Sequence, residues 1–385
     1  MSKAEQDQVV DECYQCKLCY VKCPYVPPHE WQLDFPRLML RAEAVHHQQR
    51  GLDLATEFLG RTDLLGHVGT RLSGVVNRVA GAPGSLPRRL MERTVGVAAQ
   101  RVLPPFARKR FSTWFRDRDR HRPVDAPAGA RGKVAVFTTC LVEYQDPAIG
   151  QDLVKVYERN GIACELPEGI SCCGMPWLDG GDVDRFIRDG ERNVPVLAAA
   201  VRAGCDIVVP QPTCTYVLKR EYPAYLPGDE ACLVAEHTYD VAEYLLKRHR
   251  EGTAKGEGLD TDFTGAVPSS VALHVPCHLR AQNIGFRSRD LLRLTGADVT
   301  TIDKCSGIDG TWGYRAENYE LSRQVAEPLK QAIEAQVGND PEVAVVGDCH
   351  LANGAILQET GRRPQHPIQL FARAYGIAPE EGATR

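Results

Sequence analysis

The sequence predicts an α/β protein: an N-terminal four-cysteine segment, a helical middle region, and two repeated cysteine-rich α/β units in a pseudo-twofold relation. Three observations predict it. From residue 132 onward, strand-like apolar runs alternate with helical patterns, which favours parallel sheets. The landmarks of that stretch occur twice. The cysteines gather at the ends of strand-like runs and in one tight N-terminal group.

The N-terminal element is `DECYQCKLCYVKCP` (11–24), with Cys13, Cys16, Cys19, Cys23 and Pro24. This is the C-x2-C-x2-C-x3-C-P spacing of a bacterial ferredoxin run, and residues 1–30 are expected to be a ferredoxin-like [4Fe–4S] segment. In two-cluster ferredoxins the fourth cysteine serves the other cluster, yet the next cysteine here is Cys140. Two arrangements are open. Cys23 closes the cluster of Cys13, Cys16 and Cys19, or a remote cysteine does so.

Residues 31–131 contain no cysteine. `DFPRLMLRAEAVHHQQR` (34–50) has apolar residues at helical spacing, and Pro36 suits a helix start. From Leu86 to Arg122 there are eleven Lys or Arg against three acids. Interleaved with Phe106, Phe111, Trp114 and Phe115, this basic stretch reads either as a docking surface or as a helix packing its aromatics on the protein's own core. The docking reading makes 86–122 a contact to a partner or to the membrane and its quinones. `RPVDAPAGARG` (122–132) reads as a linker.

The first unit is expected over 132–250 and the second over 268–378. `KVAVFTTC` ends at Cys140 and `SVALHVPC` at Cys277. `ISCCGMP` carries Cys172 and Cys173, where `DKCSGID` carries Cys305 and Ser306. `DIVVPQPTC` leads to Cys214 and `EVAVVGDC` to Cys349; His237 and His366 each precede a closing helix. Matching landmarks are offset by 137, 133, 135 and 129 residues.

In such units ligands gather beyond the carboxyl ends of the strands. The first unit therefore offers Cys140, Cys172, Cys173 and Cys214 to one site. Four thiolates suit a [4Fe–4S] cluster or a tetrahedral zinc, and adjacent Cys-Cys is not a usual zinc spacing. Gly174, Gly180 and Gly181 are expected to let backbone approach the cluster. The second unit keeps Cys277, Cys305 and Cys349. Three outcomes are open there: His278, His350, Asp309 or Ser306 completes a third iron–sulfur cluster; an open iron binds substrate; or the unit is scaffold. His278, His350 and Asp309 are the catalytic candidates.

The chain has 385 residues, a net charge of −4 and fourteen cysteines. Nothing points to nucleic acid, and no G-x-G-x-x-G or P-loop predicts a bound flavin, nicotinamide or nucleotide. A polar N-terminus without a signal-peptide core predicts a cytoplasmic protein, where clustered cysteines point to metal rather than disulfides.

`CCGMP` (172–176), `PTCTYVLKREYP` (212–223), `PCHL` (276–279) and `CSGIDGTWGYRAENYE` (305–320) resemble the cysteine-rich CCG-domain family. That family includes the cluster-bearing subunits of heterodisulfide reductase, of glycolate and lactate oxidases, and of anaerobic glycerol-3-phosphate dehydrogenase; the likeness in these stretches is to the C subunit of the last. The resemblance implies an iron–sulfur electron-transfer subunit with two [4Fe–4S] clusters. Its partner would be a flavoprotein dehydrogenase or a rubrerythrin-like protein, with contact to the inner face of a membrane. Three departures bear on chemistry. The second ferredoxin run is missing, the second motif reads Cys305-Ser306-Gly307, and the family's closing C-x-x-C is incomplete: Cys214 is followed three on by Val217, and Cys349 by Ala352. Disulfide-reductase chemistry is therefore not expected. The alternatives are a catalytic reductase at an open site in the second unit, acting on thiol- or peroxide-type substrates, and a zinc or structural scaffold.

Overall fold

In the computed structural model, residues 2–120, 131–338, 340 and 342–378 are described. The expected linker lies outside them, apart from Arg131 and Gly132.

Two parallel sheets organise the chain. The first contains β1 (Gly132–Val136), β2 (Ile162–Glu165), β3 (Asp206–Val209) and β4 (Thr238–Asp240) in the order β2-β1-β3-β4. The second contains β5 (Ser270–His274), β6 (Asp298–Ile302) and β7 (Ala344–Gly347) in the order β6-β5-β7. All pairs are parallel, with Val134 opposite Asp206 and Val271 opposite Ala344. Where β4 borders β3, a single parallel bridge between Val346 and Gln365 borders β7. Short Val/Ile/Ala runs form these strands because both faces are covered by helices.

Each unit carries one long helix, Val183–Arg202 and Tyr319–Val337, each with an internal proline, Pro195 and Pro328. The closing helices start alike. Asp240 with Glu243, and His366 with Gln369, form capping boxes at Val241–Thr253 and Pro367–Ala374. The residue equivalent to His366 is thus Asp240, not His237 as the sequence pairing has it.

The units share one core. Ile368, Phe371 and Tyr375 of the second pack with Val154 and Tyr157 of the first, and Leu291 joins Leu245. The middle region is woven into both. Its first long helix, Phe35–Arg50, is capped by Asp34 with Pro36 in the first turn, as its sequence predicts. Phe111, Trp114 and Phe115 are buried against the first unit, and Phe106 lies over Gly69, where a Cβ would meet its ring at 2.6 Å. The aromatic part of the basic stretch is therefore core, not docking surface. Arg88 and Arg101 are also buried. Arg88 donates to the Ala98 and Arg101 carbonyls, and Arg101 to Ser322 Oγ at 2.6 Å.

The glycines after Cys173 serve this packing. A Cβ at Gly181 would lie 2.3 Å from the Glu43 carbonyl oxygen, and one at Gly180 would strike Thr56 and Leu52. Gly180 and Gly181 make room for the middle helices rather than for a cluster, which corrects the sequence expectation at these two positions.

Candidate functional site

The first site forms where β1 and β3 end. Cys140 opens the helix Cys140–Tyr144, Cys214 lies inside Pro212–Tyr216, and Cys172 and Cys173 sit on the loop before Met175–Asp179. The four side chains touch in sequence: Cys140 meets Cys172, Cys172 meets Cys173, and Cys173 meets Cys214. Hydrogen bonds from Cys140 and then Cys173 hold the Cys172 thiol well below its ordinary value. The same contacts, with burial, push Cys140 and Cys173 up. The Gly174 N–H also points at the Cys172 sulfur, made possible by a φ of 85° that favours glycine. The second unit repeats this contact: Gly307, at φ 66°, donates to Cys305 Sγ at 3.4 Å.

The middle region completes the first site. Cys172 N–H donates to Asp63 Oδ2 at 3.0 Å, and Tyr144 Oη donates to Asp63 Oδ1 at 3.3 Å and contacts His67 Nδ1 at 3.0 Å. Burial, then the nearby Cys172, raises the Asp63 carboxyl. A cavity of about 670 Å³ opens beside Cys140 and Cys172, lined also by Asp63, His67, Arg110 and Tyr144.

The N-terminal run docks on the second unit. Tyr14 packs on Trp312, ring centroids 4.9 Å apart, and its Oη lies 3.4 Å from Cys305 Sγ. Trp312 Nε1 donates to the Asp11 carbonyl at 3.0 Å. His278 Nε2 lies 3.0 Å from the Gln15 carbonyl and Nδ1 2.9 Å from Thr213 Oγ1. Burial depresses its pKa to about 3, so the ring is neutral; Nε2–H donates to Gln15 and Thr213 donates to Nδ1. Cys16 is pushed up to about 11, by burial first and then by Asp309 and Cys305.

Lys17 fixes the run from below. Its buried ammonium donates to Gln15 Oε1 at 2.8 Å and pairs with Glu221 Oε1 at 3.5 Å. Backbone strain is concentrated beside these cysteines. Gln15, Lys17 and Thr139, at φ of 54°, 62° and 47°, adjoin Cys16 or Cys140. A non-glycine residue in this region costs on the order of 1–3 kcal/mol and persists where the surroundings impose it.

The structure thus brings together Cys140, Cys172, Cys173 and Cys214, and separately the run with Cys277 and Cys305. His278 and Asp309 join the second group: ligand atoms of Cys277, His278 and Asp309 lie within 4.8 Å of one another. His350 does not join. Its backbone N–H bonds Gln211 Oε1, and its half-buried ring lies near Asp146, Arg363 and His366. His274 is a strand residue bonded to the Lys304 carbonyl. Cys19 is exposed and Cys23 partly so, at the far end of Leu18–Lys22 from Lys17.

The closing motif needs a new register. Gln211 and Cys349 both cap the helix two residues beyond their strand, so Gln211 is the residue equivalent to Cys349 and Ala352 to Cys214. Each unit keeps one half of a C-x-x-C: Gln211-x-x-Cys214 in the first and Cys349-x-x-Ala352 in the second. Pairing Cys214 with Cys349 by cysteine order is three residues out. Sequence reading also misses Asp63, Tyr14, Lys17 and Gln211; only the unusual lysine between two cluster-type cysteines offers a signal.

Thiols converging beyond the strands of two parallel sheets define a cysteine-rich α/β protein. Residues 134–219 and 271–352 each match the CCG cysteine-rich domain. The chain is 31 % identical over 340 residues to the C subunit of the anaerobic glycerol-3-phosphate dehydrogenase of Escherichia coli K12, covering 88 % of this chain and 81 % of that one. It is 27 % identical to lactate utilization protein A of Bacillus velezensis, over 60 % of this chain and 91 % of that one. It is 26 % identical to the B subunit of the fumarate reductase (CoM/CoB) of Methanothermobacter marburgensis, over 63 % of this chain and 46 % of that one. The chain belongs to the CCG-domain iron–sulfur protein family.

Proposed function

We propose that the protein is an electron-transfer subunit of an oxidoreductase system, relaying electrons between a partner redox protein and a second acceptor. The convergence of Cys140, Cys172, Cys173 and Cys214 in one chain of neighbours carries this reading. Four soft donors without a histidine or carboxylate among them suit a [4Fe–4S] cluster. A second cluster belongs to the ferredoxin-like run, on Cys13, Cys16, Cys19 and a fourth thiolate. Such clusters supply one-electron steps. The chain's own residues hold the thiolates, bury them and aim Gly174 and Gly307 N–H groups at sulfur. The cavity beside Cys140 is the port at which a partner or acceptor approaches the first cluster, with Asp63, Tyr144 and His67 as its polar wall.

The partner is a flavoprotein dehydrogenase or a rubrerythrin-like protein. No helix among the described residues is long and apolar enough to cross a membrane. Peripheral contact at the inner face of a membrane is favoured by the helices over 62–95. They bury Gly66, Gly69, Thr70 and Ser73 while exposing Leu64, Val68, Leu72, Val75, Val79, Leu86 and Leu90 beside Arg71, Arg78, Arg89 and Arg93. Small residues inward and aliphatics outward reverse the usual order of a solvated helix.

Iron and acid-labile sulfide on anaerobically purified protein test the reading. About eight of each per chain are expected from two four-iron clusters. About twelve would give the second unit a cluster of its own. Zinc without sulfide would overturn the redox assignment.

A further inference from the structure

We infer that Cys305, from the second unit, is the fourth thiolate of the N-terminal run's cluster, and that Cys23 is not a ligand. The inference rests on the iron–sulfur reading above and names the ligand which that reading leaves open.

The run is held against the second unit by contacts from four directions. Helix Leu18–Lys22 packs on Cys277–Ala281. His278 grips the Gln15 carbonyl, and Trp312 grips the Asp11 carbonyl. Tyr14, between Cys13 and Cys16, stacks on Trp312 and reaches Cys305 Sγ. These contacts fix residues 11–16 over the loop that carries Cys305.

Cys277 and Cys305 both lie on the run's side of the second unit, and Cys305 is the one whose sulfur contacts a side chain of the run. Cys349 Sγ accepts from Gln211 Nε2 at 3.2 Å, and Cys277 Sγ lies 3.8 Å from Asp309 Oδ2. Cys305 Sγ instead meets Tyr14 Oη at 3.4 Å, on the residue between Cys13 and Cys16. Cys23 stands at the opposite end of Leu18–Lys22, as its C-cap. In a two-run ferredoxin that position serves the other cluster, and this chain has no second run for it to serve.

The degenerate Cys305-Ser306-Gly307 motif then has a purpose. Losing the cysteine at 306 dismantles a cluster within the second unit, while Cys305 and its Gly307 N–H contact are kept for the run. The two halves of the chain are joined through a shared cofactor, and the run's cluster cannot assemble on residues 1–30 alone.

The test compares the full-length protein with Cys305→Ala and Cys23→Ala, purified anaerobically and reduced with dithionite. Iron, sulfide and electron paramagnetic resonance are read, with the first unit's cluster signal as the internal control for folding. Cys305→Ala is expected to lose one of two clusters, about four irons per chain, or to convert it to a three-iron form; Cys23→Ala is expected to keep both. Two intact clusters in Cys305→Ala, or loss of one in Cys23→Ala, overturns the assignment. Wild-type protein without iron and sulfide would instead overturn the iron–sulfur reading itself.

Discussion

Gln211 Nε2 donates to Cys349 Sγ across 3.2 Å, and the two residues hold the same capping position in the two units. Gln211 Oε1 also accepts the His350 N–H at 3.2 Å. One side-chain amide thereby satisfies a thiol and a helix N-terminus of the other unit. Gln211→Leu leaves the His350 N–H without its acceptor and the Cys349 sulfur with only the Ala352 and Leu351 N–H groups. A loss of about 1–3 kcal/mol is expected, read as a lower urea midpoint of the apoprotein with an unchanged m-value. The Cys349 thiol, already raised to about 11 and lowered in part by this amide, rises further, so its alkylation at alkaline pH slows. Unchanged alkylation would mean that the amide does not act on the sulfur.

Lys17 is a buried cation in the middle of the run, between Glu221 at 3.5 Å and the neighbouring carboxyls of Asp179 and Asp309. Lys17→Met leaves Glu221 buried with only the more exposed Arg37, 3.8 Å away. Breaking a buried pair from one side costs about 3–5 kcal/mol, and the double variant Lys17→Met/Glu221→Gln should recover most of it. Limited proteolysis should cut the single variant before residue 30 sooner than the wild type. Equal cleavage rates would show that the run is held by its aromatic contacts instead.

The repeat is legible in the sequence because strand-like runs ending at cysteines are local signals. `KVAVFTTC` and `SVALHVPC` do become β1 and β5, with Cys140 and Cys277 opening the next helix. The register of the last motif is not legible, because cysteine order is a weaker guide than the distance from the strand end to the helix cap. That distance pairs Cys349 with Gln211. The partners of Cys172 are hidden for another reason. Asp63 reaches it from a helix more than a hundred residues earlier, and no spacing rule records a contact made by packing. The same holds for Gly180 and Gly181, whose neighbours are middle-region atoms.

Glu43 gives the fold a pH dependence of definite sign. Burial, larger than the opposing effect of His46, pushes its carboxyl up to about 7. Between the ordinary carboxylate range and that value, the folded state holds a proton that the unfolded chain has released. Stability contributed by this group therefore falls as pH rises from about 4.5 to 7, and the full penalty is present above 7. Glu43→Gln should remove that decline, stabilising the apoprotein by about 2–3 kcal/mol at pH 8 and little at pH 4.5. Melting temperatures of the two proteins across this range check it; parallel curves would mean that Glu43 ionises freely.

The outward aliphatics of residues 62–95 make the membrane contact testable. Val75 is 64 % exposed, Leu86 80 % and Leu90 63 %. Leu86 and Leu90 are one helical turn apart, as are Val75 and Val79, so each pair shares a face. Buried in a bilayer interface, each Leu or Val contributes on the order of 1.5 kcal/mol, and nearby arginines add attraction to anionic lipid. The variant Val75→Ser/Val79→Ser/Leu90→Ser should bind vesicles containing phosphatidylglycerol at least about tenfold more weakly. Its folding should be unaffected, because none of the three side chains belongs to the core. Arg89→Glu/Arg93→Glu should weaken binding at low salt and have little effect at high salt, where screening already removes the charge contribution. Vesicle co-sedimentation that is unchanged in both variants would assign this face to a protein partner rather than to lipid.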